Sequence, residues 1–296
     1  MKKGEKKKTA EGKLRFRVEK EGTGLDRSTE AKLARLEAEM AAQEKPLVPT
    51  DNSTGEIKET GRANLFLLGA VFLFTLFIAK LPFSDFIFGP LNQFATMIHE
   101  MSHAIACVAT GGHVTSMTIV PDGQGHGGLT SCIGGIRFIH YQAGYLGTAI
   151  AGCLLIFFGQ FKHRSRETLV AVGTLMLLST IFFMIPGLLS PMFFQALASL
   201  IWGVVLSLAT IYAGLKLKDS MANLLLLFLA INTAMDSLRS ITMVMTASIF
   251  ARHIFSDATN MEQLFGMPAI LWSLLWLAIS LAMLGFTIWL SYFRKR

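Results

Sequence analysis

The sequence predicts a mainly α, polytopic transmembrane helix bundle of about 6–7 spans, with a small β-hairpin after a helix that bears ionisable groups. Three observations lead there. Of 296 residues, 52% are hydrophobic and 16% charged, an apolar surplus and a charge deficit relative to an ordinary soluble domain. The surplus collects in runs of about 18 or more residues, the length that crosses a hydrocarbon core. Between two of these runs lies a stretch rich in β-branched residues and glycine that cannot continue a helix.

Residues 1–62 read as a polar, largely disordered tail, because "MKKGEKKKTAEGKLRFRVEKEGTG" mixes charges with no hydrophobic period. Within it, "STEAKLARLEAEMAAQE" (28–44) places Leu33, Leu36 and Met40 on one side, a short amphipathic helix with a narrow apolar stripe. No cleavable signal peptide is expected, since the first apolar run begins only near 63 and acts as an uncleaved insertion signal. The transmembrane domain covers 63–296, with apolar runs at roughly 63–82, 90–110, 142–160, 167–187, 191–215, 220–249 and 268–292.

The segment 111–147 interrupts that series. Val114, Thr115, Thr118, Ile119 and Val120 favour a strand, and Pro121-Asp122-Gly123 with the glycines beyond favours a turn, which together predict a β-hairpin. At membrane depth such backbone must be covered by protein or face a wet cavity, so a hairpin beside the second apolar run implies an internal polar chamber.

The formal charge of +7 does not point to nucleic acid. Lys and Arg gather in the tail, in "KHRSR" (162–166), in "KLKD" (216–219) and at 294–296, positions that flank membrane spans. These basic loops alternate with poorly charged connections at 186–191 and 250–267, which predicts a multi-pass protein with a cytosolic C-terminus. Seven full crossings then place the lysine-bearing tail on the other side. Either that tail is translocated or one early segment is not a full crossing. Cys107, Cys132 and Cys153 lack close CxxC spacing and are expected as small buried hydrophobes.

The chemistry concentrates in "TMIHEMSHAIACVATGG" (96–112). His99 and His103 stand four apart, a spacing that stacks two imidazoles on one helix face within reach of a single ion. Glu100 projects beside them, completing HExxH: two zinc ligands and a carboxylate that takes a proton from zinc-bound water, whose pKa falls from about 15.7 to about 7. Each ionisable group at mid-bilayer costs about 2.5–3.5 kcal/mol, so three within five residues call for a compensating ligand, one Zn2+ ion. Such a centre needs a third protein ligand and an open position. Asp236, the only carboxylate in 223–250, is the expected third ligand; it also stands at pairing distance along the helix from Arg239. Asn232, one turn away, offers either a substrate or oxyanion contact or a helix–helix hydrogen bond. His113, His126, His140, Asp122 and Asp257 lie in loops or at helix ends, where solvated or turn-forming roles are ordinary. Gly144, Gly147 and Gly152 in "AGYLGTAIAG" allow close helix approach next to the histidine helix.

Four segments in order, "HEMSHAIACVATGGHVTSMTIVPDGQGHGGLTS", "AGYLGTAIAG", "AMDSLRS" and "SDATNMEQLFGMPAILWSLLW", resemble the small B-type branch of the site-2 protease clan of zinc intramembrane metalloproteases. The resemblance runs from about 90 to 292. It implies zinc on His99 and His103, Glu100 as base, an aspartate from a later helix, here Asp236, and cleavage of peptide bonds of membrane-embedded or membrane-anchored protein substrates in or near the lipid bilayer. Two positions depart from better-known members: Ser102 precedes the second histidine and Ser237 follows Asp236, where glycine is usual. A non-proteolytic metal-binding membrane protein, a transporter or scaffold, is the alternative; broken helices in repeated halves would mark a transporter, and no internal repeat is visible.

Overall fold

The computed structural model describes Arg35 and, from 52 to 293, all positions except 79–80, 82–83, 122–126 and 251–255, with backbone alone at 52–64 and 84–87. The chain divides into units 1–54 and 55–296, and the architecture below is that of the second. Apart from Arg35, residues 1–51 of the expected disordered tail, with the helix expected over 28–44, lie outside the described residues, as do Asp122 and His126; where that tail is described, at 52–62, its backbone is helical and opens the first helix.

The unit is a helix bundle with one hairpin. Its elements are α1 (Asn52–Ile78), α2 (Ser84–Ala109), β1 (His113–Thr118), β2 (Leu129–Ile133), α3 (Arg137–Gly159), α4 (Ser165–Ser179), α5 (Phe193–Lys216), α6 (Asp219–Phe250), α7 (Asp257–Phe265) and α8 (Ala269–Ile288). Helical turns extend α4 through Leu189 and α8 through Phe293. Five stretches are long and apolar enough to cross a membrane: Arg137–Gly159, Lys162–Leu189, Phe193–Lys216, Asp219–Phe250 and Ala269–Phe293. They coincide with the last five apolar runs of the sequence. The first two differ. In α1 the described apolar stretch is the shorter Leu65–Ile78. In α2, Gln93, His99, Glu100 and His103 dilute the hydropathy and Pro90 lies inside the helix.

Packing follows the small residues. Helix α3 lies against α2, α6 and α8, while α4 pairs with α5. A Cβ added at Gly152 of α3 would come within 3.0 Å of the Ala234 backbone in α6, so this glycine sets how closely the two axes approach. Gly147 faces Ser102 of α2, where a Cβ would strike the serine side chain. That contact absorbs the serine found in place of glycine before the second histidine. The main core joins α2, α3, α4 and α6 through Met97, Met101, Leu155, Met176, Leu226 and Leu227, and a second cluster joins α3, α6, α7 and α8 through Tyr145, Ile241, Met261, Trp272 and Trp276.

The expected hairpin forms. Strands β1 and β2 pair antiparallel, with Val114 opposite Cys132 and Met117 opposite Thr130, and an irregularity between Val114 and Ser116. It packs on α2, and its backbone is not left unpaired at bundle depth: the Ile119 N–H donates to Ser199 Oγ of α5 at 2.9 Å. The cysteine expectation is corrected. Cys107 of α2 and Cys132 of β2 form a disulfide, because the hairpin folds back onto the helix end; Cys153 alone of the three is a free, buried thiol.

Candidate functional site

Helical spacing puts His99 and His103 on the same face of α2, with their Nε2 atoms 3.1 Å apart. That face looks into a cavity of about 670 Å³ bounded by α2, the hairpin, α3, α6 and α7. Glu100 and His103 are buried at 5% and 4% exposure, so neither is a surface residue that happens to match a motif. Gly144 of α3 makes room for them, because a Cβ there would collide with Nε2 of both histidines.

Each member of the motif is held by a partner far away in sequence. The His103 Nδ1–H donates to the carbonyl of His140 at 2.7 Å, which leaves the Nε2 lone pair facing the cavity. His140 returns the contact, its Nδ1 lying 3.2 Å from the His103 carbonyl. The His99 ring meets Tyr145 edge-on at 4.7 Å, and Tyr145 is in turn stacked on Trp276 of α8. The Glu100 carboxylate accepts from the Thr130 hydroxyl of β2, with Oε2 at 2.7 Å, and the same hydroxyl is 3.1 Å from the Glu100 backbone carbonyl. Gly128, two residues earlier, lets the strand approach; a Cβ there would stand 2.8 Å from Glu100 Oε1. The hairpin therefore fixes the orientation of the Glu100 carboxylate.

Asp257 meets the histidines. Its Oδ2 lies 3.3 Å from His103 Nε2 and 3.9 Å from His99 Nε2. Ser256 caps α7: its hydroxyl accepts from the Thr259 N–H, its own N–H donates to Thr259 Oγ1, and Gly266 at φ 72° closes the other end. That box starts the helix at Asp257, and burial of Ala258 and Met261 fixes which way it faces. Burial alone would raise the Asp257 carboxyl, but the charges of His103 and His99 and their hydrogen bonds prevail and hold it well below the ordinary carboxylate range.

The donor set suits a divalent cation. Three acceptor atoms converge within 4.8 Å of one another, a costly arrangement unless a proton or a metal sits between them. Around a tetrahedral zinc with bonds of about 2.0–2.1 Å, ligand atoms stand roughly 3.3 Å apart. The observed 3.1, 3.3 and 3.9 Å bracket that value.

Asp236 lines the same cavity from α6 but is not one of the three converging groups found among the described residues. Asn232 donates its side-chain amide to the Phe228 carbonyl one turn back at 2.8 Å and does not line the cavity. Of the other residues weighed from the sequence, His113 is exposed at the start of β1.

A model of the Peptidase M50B-like family matches residues 61–287, most of the chain. The chain belongs to the Peptidase M50B-like family. This bears out the resemblance to site-2 proteases seen in the ordered motifs, and with the five apolar helices it makes the chain an integral membrane protein of a peptidase family. Comparisons with curated proteins and with solved structures give no match.

Sequence reasoning missed three positions at this M50B-like site. Thr130 and His140 act through hydrogen bonds that depend on hairpin register and helix packing, and nothing local to either marks them. Asp257 did carry a signal. The string Ser256-Asp257-Ala258-Thr259 after a long apolar run is a helix start, which puts a carboxylate in the first turn where the helix N-terminus favours it.

Proposed function

We propose that this protein is a zinc-dependent intramembrane metalloprotease that hydrolyses peptide bonds of membrane-embedded or membrane-anchored proteins, with zinc held by His99, His103 and Asp257. The observation that carries the reading is the convergence of those three side chains beside a buried glutamate that the hairpin holds in place. When bound, zinc supplies a Lewis acid that polarises a peptide carbonyl and makes water acidic enough to yield a nucleophile near neutral pH.

The rest of the chemistry belongs to the chain. Glu100 takes a proton from the attacking water and delivers it to the leaving amine, a transfer that needs the carboxylate oriented rather than rotating. Thr130 supports that orientation from one side and leaves the other oxygen for the proton. His140 fixes the ring of His103, so the ligand presents Nε2. Tyr145 and Trp276 back His99, and the apolar walls of the cavity limit water. Asp236 faces the same space without joining the ligand set, where it lies available to substrate polar groups.

The test is Glu100→Gln in the full-length protein with a cleavable membrane reporter. The expected result is loss of turnover with one zinc per chain retained. Unchanged turnover with zinc bound would refute the assignment of the base.

A further inference from the structure

The bundle has two unlike ends. One holds the cavity, the hairpin, the turns at Ile185–Leu189 and helix α7, with β1 packed against those turns. At the other end α3 runs into α4, α5 into α6, and α8 finishes. The short connections at this second end, 162–166 and 216–218, together with 294–296, hold eight Lys and Arg. Those at the cavity end, 110–137, 185–192 and 251–268, hold Arg137 and Arg252.

Short loops beside membrane spans follow the positive-inside rule, whereas long tails translocate largely regardless of charge, so residues 1–62 do not weigh in this comparison. Eight against two places the basic end in the cytosol, and Arg166 shows that end as built structure: its guanidinium donates to the Gly214 carbonyl at 3.0 Å and the Leu215 carbonyl at 2.8 Å, at the end of α5. A second observation, independent of charge, points the same way. The Cys107–Cys132 disulfide lies at the cavity end, joining the end of the HExxH helix to the strand that carries Thr130. Disulfides persist on oxidising faces and are rare in the cytosol.

We infer that the cavity opens toward the non-cytosolic, oxidising face of the membrane, with the C-terminus cytosolic, and that the enzyme cuts membrane-anchored proteins in segments presented from that outer face. The substrate clause rests on the peptidase reading above; the sidedness does not. Sequestration from cytosolic thiols then keeps the disulfide closed and the hairpin clamped beside Glu100.

The experiment uses the full chain in a bacterial inner membrane. In a Cys153→Ser background with the disulfide intact, Gln263→Cys on α7 and His163→Cys at the basic end are treated with a membrane-impermeant maleimide in spheroplasts. Expected are labelling of Gln263→Cys without lysis, labelling of His163→Cys only after lysis, and two further alkylations of the denatured background protein only after reductant. The reverse pattern, equal labelling of both positions, or free thiols at Cys107 and Cys132 without reductant overturns the sidedness. Two reporters then carry the cleavable segment in the outer or the cytosolic half of one span, each tested against Glu100→Gln as control. Cutting of the outer reporter alone supports the substrate class, and cutting of the cytosolic one overturns it. If neither is cut while the labelling holds, the peptidase reading fails together with the substrate clause, and the sidedness stands.

Discussion

Replacing Asp257 with asparagine separates the two aspartates that face the cavity. Asp257 Oδ2 stands 3.3 and 3.9 Å from the two histidine nitrogens, within the ligand spacing of one ion, whereas Asp236 is outside that group. Structural zinc sites are worth on the order of 10–16 kcal/mol, so one of three protein ligands carries about 3–5 kcal/mol. Removing it lowers affinity by roughly a hundredfold to a few thousandfold, at about 1.4 kcal/mol per factor of ten. Asp236→Asn removes a nearby charge but no ligand, and the expected loss is within about tenfold, the scale of an outer contact. The assay is zinc competition against a chelator of known affinity with purified protein in detergent, both variants alongside the parent. Retained affinity in Asp257→Asn with loss in Asp236→Asn would refute the ligand assignment and return the third position to α6.

Three further outcomes test the surroundings of the metal. Thr130→Val removes a hydrogen bond to the Glu100 carboxylate worth about 1.5–3 kcal/mol; kcat should fall by about ten- to a hundredfold and the pH–rate profile should move, with zinc content unchanged. Gly144→Ala drives a methyl into both histidine Nε2 atoms, so zinc stoichiometry should drop with only a modest change in Tm, a distinction read by metal analysis and thermal unfolding. Cys107→Ser with Cys132→Ser opens a link between residues 25 apart, which a chain-entropy estimate puts at about 3.5 kcal/mol, measured as lower unfolding stability in non-reducing buffer.

Much of the molecule is readable from local pattern. An apolar run long enough to span a bilayer dictates a helix, because lipid leaves backbone groups no partner outside the segment, and the last five runs and the bundle class follow from that. The spacing of His99 and His103 is equally local, since a helix repeat near 3.6 puts residues four apart on the same face whatever surrounds them. The hairpin announced itself through β-branched residues and the string Pro-Asp-Gly that follows them in the sequence. What joins the motif to its partners is not local. Asp236 and Asp257 both read as carboxylates near apolar helices, and only the packing of Ala258 and Met261 against Tyr145 and Trp276 turns α7 so that Asp257 reaches His103. Strand register selects Thr130 as the residue on Glu100, and the fold of that strand onto α2 brings Cys132 to Cys107. Pattern along the chain determined which helices form and which one carries the two histidines and Glu100; tertiary structure decided which carboxylate meets those histidines, which residue holds Glu100, and the disulfide, because those contacts are set by burial between segments that no sequence period connects.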